Sequence, residues 1–101
     1  MIQTYDMTMI EKPAIIYPDG AFDEFKFKGK VPELEEMQKV VGGLIQPVAA
    51  KNDEWVLIMN EEGLLLQLEL NLTATALMAD RLQGYNAVVG AAIYMPDELL
   101  I

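Results

Sequence analysis

The side chains of this sequence that could do chemistry are carboxylates, amides, lysines and aromatics. Histidine, cysteine and serine are all missing from the chain. That excludes Ser–His and Cys–His nucleophilic machinery, imidazole acid–base work, and the usual zinc and iron ligand sets. An enzyme made from these residues would have to run on Asp/Glu pairs, Lys, Tyr or Thr. The adjacent pair Glu61-Glu62 suggests a dyad in which one carboxyl stays protonated for acid–base work. Neighbours on a tight turn, however, point in different directions into water, so solvated turn glutamates are the better reading. The groups Asp19/Asp23/Glu24 and Asn52-Asp53-Glu54 lack the alternating oxygen spacing of a calcium loop, and no metal is expected. Gly42-Gly43 follows a helical pattern rather than opening one, which suits a helix C-cap and not a phosphate loop. No catalytic residue is assigned and no cofactor is expected.

Binding is the more natural chemistry for such a chain. Trp55 begins an apolar run beside an acidic turn, and Tyr85 lies near the end of the chain. Trp and Tyr dominate interface hot spots, although a Trp at a strand start is more often half-buried core. Together with Glu61, Glu62 and Asn71, these two aromatics form the expected partner-contacting set. Sixteen carboxylates against seven basic residues give a net charge of −9, which repels nucleic acid and anionic membranes alike. Neither is expected as a direct partner. Lys26, Lys28 and Lys30 form the sole basic cluster, and they alternate with Phe25 and Phe27. This pattern reads as a strand with one wet face.

No apolar run approaches the roughly 18–20 residues of a membrane span. Residues 1–9 have no basic start and carry Asp6, unlike a secretory signal. The sequon Asn71-Leu72-Thr73 therefore carries no expectation of glycosylation. With cysteine absent, a reduced cytoplasm is the expected compartment.

The elements that must position these residues follow from period and turn chemistry. Ala14-Ile15-Ile16-Tyr17 reads as a strand, Pro18-Asp19-Gly20 as its hairpin turn, and residues 22–28 as the returning strand. Val31-Pro32 opens a helix whose apolar stripe is Leu34, Met37, Val40 and Val41, ended by Gly42. Glu33, Glu35 and Glu36 sit at its positive end and Lys39 at its negative end. Residues 44–50 read as a strand that Pro47 confines to an edge or a bulge. Residues 55–59 and 64–70 read as a second hairpin around Asn60-Glu61-Glu62-Gly63. Asn71 or Thr73 caps a second helix over 74–82, and residues 87–95 form the closing strand. The expected fold is α+β, in the order ββαβββαβ: a mixed, mostly antiparallel sheet of about six strands with two short helices on one face. Residues 13–96 form the single domain, 1–12 an N-terminal extension and 97–101 an acidic, then apolar, tail. The continuous apolar strands suggest cover on both faces, and a second copy of the chain would supply it, so a homodimer is expected.

Three segments carry a resemblance. Val40-Val41-Gly42-Gly43-Leu44-Ile45, preceded by Leu34-Glu35-Glu36-Met37-Gln38, is similar to the helix-then-VGG signature of a small domain of unknown function. Asn60-Glu61-Glu62-Gly63 with Asn71 to Leu77, and Val88-Val89-Gly90-Ala91, resemble its later NEEG, ATAL and VG segments. The ordered set spans residues 13–95. Leu72 stands where that family often has a basic residue or proline. The resemblance implies a protein carried by phages, plasmids and their bacterial hosts, acting in the host cytoplasm.

Two functions are therefore expected to compete. One is a phage or mobile-element accessory protein that binds and modulates, by inhibition, a host protein, with defence and nucleic-acid-handling factors of basic surface as the candidates. The other is an oligomeric protein that sequesters a nucleotide-like small molecule, in a pocket made from Tyr85, Asn86, Asn71 and the strand Val88-Val89-Gly90. Arg81 is the sole arginine that could clamp a phosphate there. A carboxylate-dependent enzyme ranks last.

Overall fold

The computed structural model describes residues 12–79 and 87–100. β1 (Ala14–Ile16) and β2 (Phe22–Glu24) form the first hairpin. Its turn is closed by Gly20 N–H on Tyr17 O and Tyr17 N–H on Ala21 O, both at 2.9 Å. α1 (Leu34–Val41) follows, with Glu35 and Glu36 in its first turn and Lys39 in its last. One Glu36 carboxylate oxygen accepts the Glu33 N–H at 2.9 Å and the other accepts the Lys28 N–H at 3.1 Å. The helix entrance is thus tied to the chain that leaves β2. Gly42 ends α1 in the left-handed region and donates its N–H to Gln38 O at 2.8 Å.

β3 (Ile45–Ala49), β4 (Trp55–Asn60), α2 (Leu72–Leu77) and β5 (Ala92–Pro96) complete the fold, and Asp97–Leu99 form a short 3-10 turn. The five strands lie in the order β2-β1-β5-β4-β3, every neighbouring pair antiparallel. β5, the last strand in the chain, is therefore the middle of the sheet.

Period-two alternation divides the core between two faces. Leu57, Met59, Ala92 and Tyr94 pack with Ala74 and Leu77 of α2. Val56, Ile58, Ile93 and Met95 pack with Met37 and Val41 of α1 and with Phe25. Ile16, Leu57, Ile58, Ile93 and Met95 are the largest fully buried apolar side chains, each worth about 1.5–3 kcal/mol relative to exposure.

Both sheet edges are guarded. Pro47 lies on edge strand β3, as expected, and beside it Ala49 O faces away from β4 to accept the Ala79 N–H at 2.9 Å. By alternation Pro47 faces the same way, so its missing N–H costs the ladder nothing. On β2 the Asp23 carboxylate accepts the Glu24 N–H at 2.9 Å, occupying a donor that a foreign strand would need.

Several expectations are corrected. Among the described residues the sheet has five strands rather than about six, and every pairing between them is antiparallel rather than mixed. Residues 64–70 are not a strand and do not pair with β4, whose neighbours are β3 and β5; in place of the expected hairpin, Leu70 makes an isolated bridge to Val89. β2 stops at Glu24, although Phe25 N–H still reaches Pro13 O at 2.9 Å. α2 starts at Leu72 and ends at Leu77, and β5 starts at Ala92 rather than at 87. The two helices cover opposite faces rather than one. The doubly apolar central strands are thus covered within the chain, and the motive for a second copy on that face falls away. The extension placed at 1–12 lies, but for Lys12, outside the described residues. In the segment read as a tail, Leu99 and Leu100 pack against the α1-side core.

Candidate functional site

The chain between β4 and α2 is where apolar side chains face water. Its root is Asn60, the last residue of β4 and nearly fully buried. The Asn60 Nδ2 donates to Val41 O at 3.0 Å and its Oδ1 accepts the Glu62 N–H at 2.7 Å. One amide therefore joins the end of α1 to the start of this turn. Glu61 N–H reaches Leu44 O at 2.8 Å and Gly63 N–H reaches Asn60 O at 3.2 Å.

The next residues make a single helical turn with a defined stop. Leu66 N–H donates to Glu62 O at 2.9 Å, Gln67 N–H to Leu64 O at 3.1 Å and Leu68 N–H to Gly63 O at 3.0 Å. The last two bonds are the five-to-two and six-to-one pair of a Schellman motif. Its left-handed position is held by Gln67 at φ 58°, where glycine or asparagine is usual. Two glycines dock this turn on the body. A Cβ on Gly63 would stand 2.5 Å from Val89 Cγ2, and one on Gly90 (φ 78°) would stand 2.8 Å from Leu68 Cδ1.

What the turn displays is leucine. Leu64, Leu65 and Leu66 are 74%, 82% and 55% exposed, and Leu70 and Leu72 further along are exposed as well. Leu44, whose carbonyl holds Glu61, is another exposed leucine. Along this stretch of the sequence the charge has one sign. From residue 52 to residue 80 the sequence carries six carboxylates and no lysine or arginine, and Glu61, Glu62 and Glu69 among them are exposed.

The expected contact residues fall in different places. Glu61 and Glu62 sit at the base of the leucine turn, solvated, as the turn reading anticipated. Asn71 is completely buried. Its Oδ1 accepts the Ala74 N–H at 3.0 Å as the α2 cap, while Nδ2 donates to Ile16 O at 2.9 Å and to Gly90 O at 2.8 Å. Three of its four amide valences are satisfied internally, so it is a structural node and offers no surface to a partner. Trp55 is half-buried at the opposite end of β4 from Asn60, roughly 17 Å away at the rise of a strand. Its ring stacks on Tyr94 at 4.6 Å and 32°, and burial pushes the Tyr94 phenol up. Tyr85 lies outside the described residues. Of the pocket expected from Tyr85, Asn86, Asn71 and 88–90, the described members Asn71, Val88, Val89 and Gly90 are all buried.

A groove lies elsewhere, between β2 and α1. Its volume is about 840 Å³, with Phe25 and Val40 among its apolar walls and Lys26, Lys28 and Lys39 around it. Five carboxylates also line it, so the lysines of the expected wet face do not make a basic stripe. Among the described residues no cluster of three carboxylates converges to hold a metal, and no helix is long and apolar enough to cross a membrane.

Sequence reasoning missed the leucines, Asn60 and Gln67. The signal that could have found the first was Leu64-Leu65-Leu66 in a stretch without a single cation. A profile described as "Domain of unknown function (DUF3846)" matches residues 12–98. No curated protein and no solved structure matches the chain.

Proposed function

The chain belongs to the DUF3846 family of domains of unknown function, and from that premise we propose that it is a non-catalytic accessory protein of a phage or other mobile element. It binds a protein of the bacterial host in the cytoplasm and modulates it, by inhibition. A defence factor or a nucleic-acid-handling protein with a basic surface is the class of target it suits.

One observation carries the reading: leucines held in an ordered turn and facing water. Burying a leucine is worth about 1.5–3 kcal/mol, and Leu64, Leu65 and Leu66 forgo most of that within the chain. Exposed apolar patches rimmed by polar residues mark interaction sites. Here the rim is acidic, which favours a basic partner and fast encounter with it.

The test is retention of bacterial proteins on the tagged protein at low and at high salt, with mass spectrometry of proteins and small molecules. One host protein held in stoichiometric amount and released by salt supports the reading. Retention of nothing refutes it. The alternative, an oligomeric protein that sequesters a nucleotide-like small molecule, draws on the ligand-sized groove beside α1. It predicts a higher melting temperature with an anionic ligand panel, and a co-purifying small molecule without a protein would put it first.

A further inference from the structure

We propose that the turn bearing Leu64, Leu65 and Leu66 is the docking surface for a cationic amphipathic helix on the partner, which rests on the protein-binding reading above. Three features of the turn select that occupant. The first is preorganisation. The Schellman bonds, the Asn60 bridge and the close seats of Gly63 on Val89 and of Leu68 on Gly90 fix the backbone before any partner arrives. Successive residues of a helical turn fan out by about 100°, so the three leucines present a broad, convex apolar knob rather than a slot.

The second is the state of the backbone. The N–H groups of Glu62, Gly63, Leu66, Gln67 and Leu68 are all used within the turn. A helical turn with its donors so engaged presents no extended ladder for strand addition, so a partner that brings its own hydrogen bonds already satisfied suits it. A helix does so, and its apolar stripe at three- and four-residue spacing supplies the matching face.

The third is charge. Glu61, Glu62 and Glu69 flank the leucines in sequence and are exposed, and no cation lies between Lys51 and Arg81 in sequence. A second copy meeting this surface across a two-fold axis would set the same carboxylates against each other, on molecules that each carry −9. An anionic bilayer is repelled for the same reason. Lys and Arg flanking an apolar stripe satisfy both parts of the surface at once.

The experiment titrates the full-length protein calorimetrically with three synthetic helical peptides of equal length. One is a Leu/Lys amphipath, one has the same composition scrambled to destroy the stripe, and one is a Leu/Glu amphipath. The Leu/Lys amphipath is expected to bind one to one, with affinity that falls as salt rises. The other two should bind about tenfold more weakly or not at all. The double substitution Leu64→Gln with Leu65→Gln should weaken the Leu/Lys peptide about tenfold with an unchanged melting temperature, since both side chains are exposed. Equal binding of the scrambled peptide, or equal binding to the double variant, would show charge alone at work and overturn the proposal. So would a dimer of the parent in sedimentation that the double variant lacks, because a second copy would then be the occupant. A host protein captured by the chain and not displaced by the Leu/Lys peptide would overturn this docking mode while leaving the protein-binding reading intact.

Discussion

Replacing Asn71 by aspartate exchanges one amide nitrogen for an oxygen and changes almost nothing else, so it isolates what that nitrogen does. In the parent, Nδ2 donates to Ile16 O at 2.9 Å and Gly90 O at 2.8 Å from a fully buried position. In Asn71→Asp the remaining oxygen still caps α2 through the Ala74 N–H, and aspartate caps as well as asparagine. The new oxygen faces two carbonyl oxygens. Two hydrogen bonds worth about 1 kcal/mol each are lost; Ile16 O keeps its ladder partner Ala92, and Gly90 O is left an unsatisfied buried acceptor at about 1–3 kcal/mol. A better capping charge returns at most about 1 kcal/mol. The net loss is about 2–4 kcal/mol out of the 5–15 or so that a domain of this size possesses. In urea, with a slope of about 1.5 kcal/mol/M, the midpoint should fall by about 1.5–2.5 M. The deficit also depends on pH with a definite sign. Burial and the facing carbonyls raise the pKa of the introduced carboxyl above its unfolded value near ~3.9, so the protonated form, which can donate one bond, fits the site better. The deficit is smallest below the unfolded pKa and widens as pH rises through the folded one. A variant within about 1 kcal/mol of the parent at neutral pH would refute the assignment of Asn71 as a structural node.

Three further outcomes are expected. Gln67→Gly relieves a left-handed cost of about 1–2 kcal/mol at the price of about 0.5–1 in unfolded-chain entropy, so it should stabilise by about 0.5–1 kcal/mol; a lower thermal midpoint would contradict the turn geometry. Gly90→Ala puts a Cβ at φ 78° and 2.8 Å from Leu68 Cδ1, which should cost about 2–3 kcal/mol in chemical denaturation. Because burial raises the Tyr94 pKa, stability should fall as pH rises beyond the unfolded value of about 10, where the unfolded chain ionises first. Tyr94→Phe should flatten that alkaline slope relative to the parent, and identical slopes would refute the assignment.

Elements whose identity is written locally were legible in the sequence. The turn Pro18-Asp19-Gly20, the acid-to-base polarity of α1, its stop at Gly42 and the edge position implied by Pro47 all appear where their chemistry puts them. What could not be read was which surface an apolar residue faces. Leu64-Leu65-Leu66 has the composition of a buried strand, and only the tertiary frame decides that it becomes an exposed turn. The stop at Gln67 carries no glycine or asparagine to announce it. Likewise, hydrophobic period states that Met37 and Val41 share a helix face, as do Ala74 and Leu77. It does not state that the two helices take opposite sides of the sheet. Asn71 was legible as a cap, but its bonds to Ile16 and Gly90 join residues far apart in sequence.

The placement of β5 bears on how the chain is made. The β1–β2 and β3–β4 hairpins are local and emerge from the ribosome early, yet they share no strand until residues 92–96 arrive between them. Ala14 must wait for Tyr94, a long-range pairing of the slow kind. A nascent chain arrested before residue 92 should therefore carry two hairpins without a common sheet, fully open to protease, and acquire resistance in one step when β5 is added. Folding of this domain is decided by its most buried strand, the one that joins the two hairpins.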